Sequence, residues 1–136
     1  MRVVLDTNIL VAGLLNPSGN PGRVVDLFLA GEITLLVDDR ILAEYRAVLP
    51  RPKLALEAQE ISSLLDAVES EAFRVSAHPL DVELPDPADV PFLEVAVTGE
   101  ADSLVTGNAR HFRPAELRIR VESPTEFIGR WKTEKG

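Results

Sequence analysis

The chain has 136 residues, 46% of them hydrophobic but only 5% aromatic, with no cysteine and a formal net charge of −8. That is one domain of ordinary size with an aliphatic core, residues 1–136 forming a single unit. It excludes disulfides, a thiolate metal site and a cysteine nucleophile, and it argues against a protein that grips nucleic acid with its whole surface. The start Met-Arg-Val-Val-Leu-Asp meets a charge too early for a signal peptide, and no apolar run approaches the ~20 residues of a membrane span, so a cytoplasmic protein is expected. The charge is uneven. Residues 105–136 carry seven basic and four acidic residues, a net +3, which leaves −11 for residues 1–104. The tail is then either an ordinary solvated face or a basic lip beside an acidic site.

The first element is the apolar run Val3–Asp6, which ends abruptly on a carboxylate followed by Thr7 and Asn8. A buried parallel strand reads this way when it delivers an acid to the C-terminal edge of a sheet, where open α/β sheets place their sites. A short helix over Ile9–Leu15 follows, so Asp6 equally fits a helix cap. Asn16–Gly22 reads as a loop by its turn residues. Arg23–Ala30 reads as a helix with Gly31 as its stop. A second apolar strand, Ile33–Val37, ends in Asp38 and Asp39, and Asp39 can cap a helix over Arg40–Leu49 that Pro50 and Pro52 terminate.

In that helix Ile41, Leu42, Tyr45, Val48 and Leu49 share a face, and Glu44 sits at its margin, about 40° from Val48. Glu44 is thus either a boundary glutamate or an acid leaning over the sheet edge. An amphipathic helix from Leu56 to about Glu71 and a short strand Phe73–Val75 come next. The Pro- and Asp-rich stretch His78–Asp89 reads as loop. In the helix Val90–Thr98, closed by Gly99, Phe92, Leu93, Ala96 and Val97 define the buried face. Asp89 projects onto it from the N-terminus, as a cap or as a site residue, while Asp86 is expected in solvent.

The strand Ser103–Thr106 brings Thr106, Gly107 and Asn108 to the same edge as Asp6. Asp102 precedes that strand, roughly 13 Å away at the opposite edge, and is set aside. Arg118–Val121 reads as a last strand and Pro124–Trp131 as a last helix. Alternating strands and helices imply an α/β fold with a parallel sheet covered on both faces. His78 and His111 read as surface residues, with His111 better placed to touch a substrate.

Asp6, Glu44 and Asp89, with Asn108, can therefore converge. Three ionised carboxylates raise one another's pKa unless compensated, and such hard oxygen ligands suit Mg²⁺ or Mn²⁺. A divalent ion among them can activate a water against a phosphodiester. Arg46, Arg51, Lys53, Arg110, His111 and Arg113 are candidate phosphate contacts.

Several stretches together resemble the PIN domain: Leu-Asp-Thr-Asn at 5–8, Ile-Leu-Ala-Glu-Tyr at 41–45, Leu-Pro-Arg-Pro-Lys at 49–53, Asp-Pro-Ala-Asp at 86–89 and Ala-Asp-Ser-Leu-Val-Thr-Gly-Asn at 101–108. Each is weak alone, but the ordered set is specific and spans nearly the whole chain. It is most similar to the toxin branch related to VapC. The resemblance implies a three-layer α/β/α sandwich around a mostly parallel sheet and a Mg²⁺- or Mn²⁺-dependent ribonuclease. It places the family's acids on Asp6, Glu44 and Asp89, and a fourth polar position, often Asp in other members, on Asn108. Thr7, Asn8 and Thr106 become supports for that cluster. A homodimer or higher oligomer and a small antitoxin partner are also implied. Two other readings compete. One is a PIN-like module that binds RNA or protein with little catalysis, favoured by Asn108 and the net charge. The other is a phosphotransferase with Asp6 as nucleophile, disfavoured because Asn8 stands where such enzymes carry a second acid.

Overall fold

The computed structural model describes residues 1–115 and 118–135. Five strands form one all-parallel sheet: β1 (Arg2–Leu5), β2 (Thr34–Val37), β3 (Phe73–Arg74), β4 (Ser103–Val105) and β5 (Val121–Glu122), in the spatial order β3-β2-β1-β4-β5. Six helices cover it: α1 (Thr7–Leu15), α2 (Asn20–Leu29), α3 (Asp39–Val48), α4 (Ala58–Glu71), α5 (Val90–Thr98) and α6 (Pro124–Lys135). The result is the expected three-layer α/β/α sandwich.

The central strands are buried on both faces. Val3, Val4, Leu5, Leu35, Leu36, Val37, Leu104 and Val105 all lie in the core, which is why these strands read as unbroken apolar runs. On one side α5 packs on β1, β2 and β4 and against α3. Elsewhere α2 packs between α1 and α6, and α6 lies on β4 and β5. The chain winds from β1 outward to β2 and β3, then returns past β1 to β4 and β5. The sheet order therefore reverses between β1 and β4, and a ligand crevice is expected outside the carboxyl ends of those two strands.

Several sequence expectations need correction. α1 starts at Thr7, not Ile9, and α2 starts at Asn20, inside the expected loop. Asn-Pro-Gly resembles a turn, but Pro21 occupies a helix N-terminus, where its missing N–H is harmless. Gly22 allows the helix to start there: a Cβ at this position would lie 2.1 Å from the Pro17 carbonyl oxygen. The stop at Gly31 holds. Its φ is +76°, and the Gly31 and Glu32 amides donate to the carbonyls of Phe28 and Leu27 in a Schellman closure. The cap of α3 is Asp38 rather than Asp39, because the Asp38 carboxylate accepts from the Ile41 amide at 3.0 Å. The last strand lies at Val121–Glu122 rather than Arg118–Val121, in register with Leu104 and Val105.

Candidate active site

The site forms where β1 and β4 end. The Asp6 amide donates to the Val105 carbonyl at 3.0 Å, which holds the two strand ends together. Asp6 occupies the N-cap position of α1, yet its side chain makes no capping hydrogen bond. Its Oδ2 instead accepts from the Thr106 hydroxyl at 2.7 Å. The same hydroxyl accepts from the Asn108 amide at 3.0 Å, so its proton is committed to Asp6. The carboxylate is therefore not spent on capping the helix.

Asp89 repeats the pattern. It sits at the N-cap of α5 without a side-chain cap bond, and its Oδ2 lies 3.2 Å from His111 Nδ1. Asp86 caps the 3-10 turn Pro87–Asp89 that leads into α5, accepting from the Ala88 amide at 2.9 Å, and although exposed it borders the same cavity. Glu44 comes from the margin of α3 and accepts from the Thr7 hydroxyl at 3.3 Å. Asn8 accepts from the Gly107 amide at 3.3 Å and ties the start of α1 to the loop after β4.

Asp6, Glu44, Asp89 and Asn108 thus line one cavity of about 290 Å³, with Thr7 and Asn8 in its wall. Val11 and Val48 form an apolar side, and Arg51 and His111 are its basic neighbours. Burial pushes the Asp6 carboxyl above its usual range, with the charge of Glu44 adding to it and the Thr106 hydroxyl and Thr7 amide opposing it. Asp89 rises to about 6, first by burial and then by repulsion from Asp6 and Asp86, with His111 opposing. Both shifts mark acids held together against their own charge.

Tyr45 is a supporting residue that the helical pattern assigned only to the core. It is fully buried and donates to the Leu5 carbonyl at 2.6 Å, one residue before Asp6. Burial, then the charges of Asp6 and Glu44, raise its hydroxyl pKa well above the ordinary value. A tyrosine on a core face is the available sequence signal, since a buried hydroxyl needs a partner.

The basic candidates divide. Arg51 and His111 border the cavity. Arg46 points away and pairs with Glu69 of α4. Lys53 is exposed on a 3-10 turn, Pro52–Leu54, and Arg110 and Arg113 are exposed on the 3-10 segment Ala109–Ala115, all outside the cavity lining. His78 is exposed, as expected, and Asp102 lies at the other sheet edge, where it accepts from the Arg2 amide at 2.8 Å.

A sequence profile of the PIN domain matches residues 2–110, four-fifths of the chain. The chain belongs to the PIN domain family. Among curated proteins it is similar to the uncharacterized protein MJ1680 of Methanocaldococcus jannaschii, with 26% identity over 139 residues, covering 94% of this chain and 90% of that protein. Among solved structures it is similar to a chain in the crystal structure of VapBC2 from Rickettsia felis bound to a DNA fragment from their promoter. The TM-score is 0.59 at 20% identity, covering 90% of this chain and 98% of the other, and it supports the PIN fold.

The donor set fits a hard divalent cation: every candidate ligand is an oxygen, and two of the carboxylates are buried without an arginine partner among the described residues. Among the described residues no three His, Cys, Asp or Glu side chains close on a single ion by themselves.

Proposed function

We propose that this PIN domain protein is a Mg²⁺- or Mn²⁺-dependent endoribonuclease and acts in the cytoplasm as the toxin of a toxin–antitoxin pair. The observation that carries the reading is the placement of Asp6, Glu44 and Asp89 on the walls of one cavity at the topological switch point. These three carboxylates are the proposed metal ligands, directly or through waters that the ion would keep, with Asn108 as a neutral fourth donor. The bound ion supplies a polarised water and counter-charge for a phosphodiester under attack. The chain's own groups do the rest. Thr106 holds the carboxylate of Asp6, Tyr45 holds the Leu5 carbonyl just before it, and Thr7 orients Glu44. His111 steadies Asp89, and the Val11–Val48 side keeps that flank of the cavity apolar. The antitoxin partner and a homodimer or higher oligomer belong to the same proposal, supported by the VapC resemblance and the likeness in fold to a chain of a VapBC2 structure.

The purified protein is expected to cleave RNA with Mg²⁺ or Mn²⁺ and to stop on addition of EDTA. Asp6→Asn should abolish cleavage while the protein stays folded. Continued cleavage by folded Asp6→Asn protein would assign the activity to a contaminant. A second reading, a PIN module that binds RNA or protein with little turnover, is favoured by Asn108, which keeps an oxygen but lacks a charge. Calorimetry separates the two, because a module without catalysis need not bind Mn²⁺, whereas the nuclease must bind it and lose it in Asp89→Ala.

A further inference from the structure

The geometry points to Arg51 as the residue that anchors a substrate phosphodiester beside the acids, an inference that rests on the nuclease reading above. A cavity bordered by four carboxylates has a chemical difficulty, since its proposed substrate is a polyanion. Asp6, Glu44, Asp86 and Asp89 border the cavity, and Arg51 is the one permanently charged cation among the described residues of its lining. His111 is already engaged by Asp89.

Arg51 also differs from the arginines that pair. Arg40, Arg46, Arg74 and Arg130 each close on a carboxylate. Arg51, with four carboxylates around the same cavity, forms no ion pair with any described residue. Its backbone, by contrast, is firmly set. Proline stands on both sides, and the residue before a proline is confined to extended geometry, as φ −58° and ψ 127° show. The Arg51 amide donates to the Val48 carbonyl at 3.0 Å, and the Arg51 carbonyl accepts from Leu54, also at 3.0 Å. The turn therefore fixes where the side chain starts and leaves the guanidinium free, an arrangement suited to bidentate capture of a phosphate. Val48, one turn earlier, adds an apolar surface in the same lining against which a sugar or base can pack.

Arg51→Ala and Arg51→Lys test the assignment with a fluorescent single-stranded RNA. Binding is read by anisotropy in an Asp6→Asn background, and cleavage kinetics are read in the otherwise native protein. Arg51→Ala should weaken binding about tenfold and lower the slope of log affinity against log salt by about 0.7, the loss of one phosphate contact on a single strand. In cleavage, KM should rise about tenfold while kcat changes by less than about threefold, the signature of lost ground-state binding. Arg51→Lys should recover part of the affinity. Mn²⁺ binding by calorimetry should be unchanged in both variants. Cleavage by the native protein with unchanged KM and salt slope in Arg51→Ala would overturn the role of Arg51 and leave the nuclease reading intact. RNA binding that depends on Arg51 without any metal-dependent cleavage would do the reverse. A native protein that binds no RNA would overturn both.

Discussion

Two kinds of buried acid coexist in this molecule. Glu94 in α5 and Glu122 in β5 are 6% and 7% exposed, and each is answered by an arginine. Arg40 reaches Glu94 at 2.7 Å and Arg130 reaches Glu122 at 3.0 Å, the Leu80 amide donates to the other Glu94 oxygen, and the Ser103 hydroxyl donates to the same Glu122 oxygen. Asp6 and Asp89 are equally buried, at 8% each, and among the described residues neither is paired with an arginine. Their partners are one hydroxyl and one imidazole. A buried carboxylate is expensive unless it is paired and hydrogen-bonded. The fold meets that requirement for the glutamates and leaves it open for the aspartates. The difference separates acids whose charge the fold compensates from acids whose charge it leaves uncompensated, as the proposed cation site requires.

The largest effect should come from removing the central aspartate. Asp6→Asn is expected to lower metal-dependent RNA cleavage by at least about 100-fold, beyond what losing an outer support costs. The chelated protein should not melt earlier, because the substitution removes a charge the fold disfavours. An earlier melt in EDTA would mean that Asp6 is structural, like Glu94 and Glu122. The opposite behaviour is expected at the paired acids. Arg130→Met leaves Glu122 buried with only Ser103 to answer it and should cost about 3 kcal/mol of stability in urea unfolding. A loss below about 1 kcal/mol would show that this pair is an ordinary surface bridge and would erase the contrast.

Thr106→Val offers a finer test. It keeps the side-chain volume and removes only the hydroxyl held between Asn108 and Asp6. Mn²⁺ affinity should fall by about 10-fold, the lower end for an outer-shell partner, with little change in melting temperature. Unaltered affinity by calorimetry would restrict Thr106 to packing.

How much of this the sequence discloses follows from periodicity and spacing. The strands β1, β2 and β4 are legible because two-sided burial removes polar residues until the strand ends, so each run stops at the edge that matters. Asp6 and the loop after Val105 are visible for that reason. Glu44 is visible because helix geometry puts it next to Val48, and both border the cavity. Edge elements are harder. β5 pairs over only two residues, and Ile119 and Val121 offer equally good registers until Leu104 selects one. The start of α2 is obscured because Asn-Pro-Gly has the chemistry of a turn, and only the approach of Pro17 to Gly22 shows why glycine is there. The hydroxyl of Tyr45 and the pairing of Arg46 with Glu69 depend on which helix lies beside which, and no local pattern carries that.

The smallest expected effect is in pH dependence, and its sign is diagnostic. Without metal, the Asp89 carboxyl titrates at about 6 in the folded protein, against an ordinary 3.8, and Asp6 is shifted in the same direction. Between those two values the folded state holds a proton that the unfolded chain has released. The contribution of Asp89 to stability is therefore fully present below about pH 4 and is lost as pH rises through about 6. Most carboxylates contribute in the opposite sense, so the difference between native and Asp89→Asn protein isolates the effect. In EDTA the native protein should lose melting temperature relative to Asp89→Asn as pH is raised from 4 to 7. In Mn²⁺ that relative loss should shrink or reverse, since a cation favours the ionised acid. An identical difference with and without Mn²⁺ would place Asp89 with Glu94 and Glu122, as a carboxylate whose needs the fold has already met.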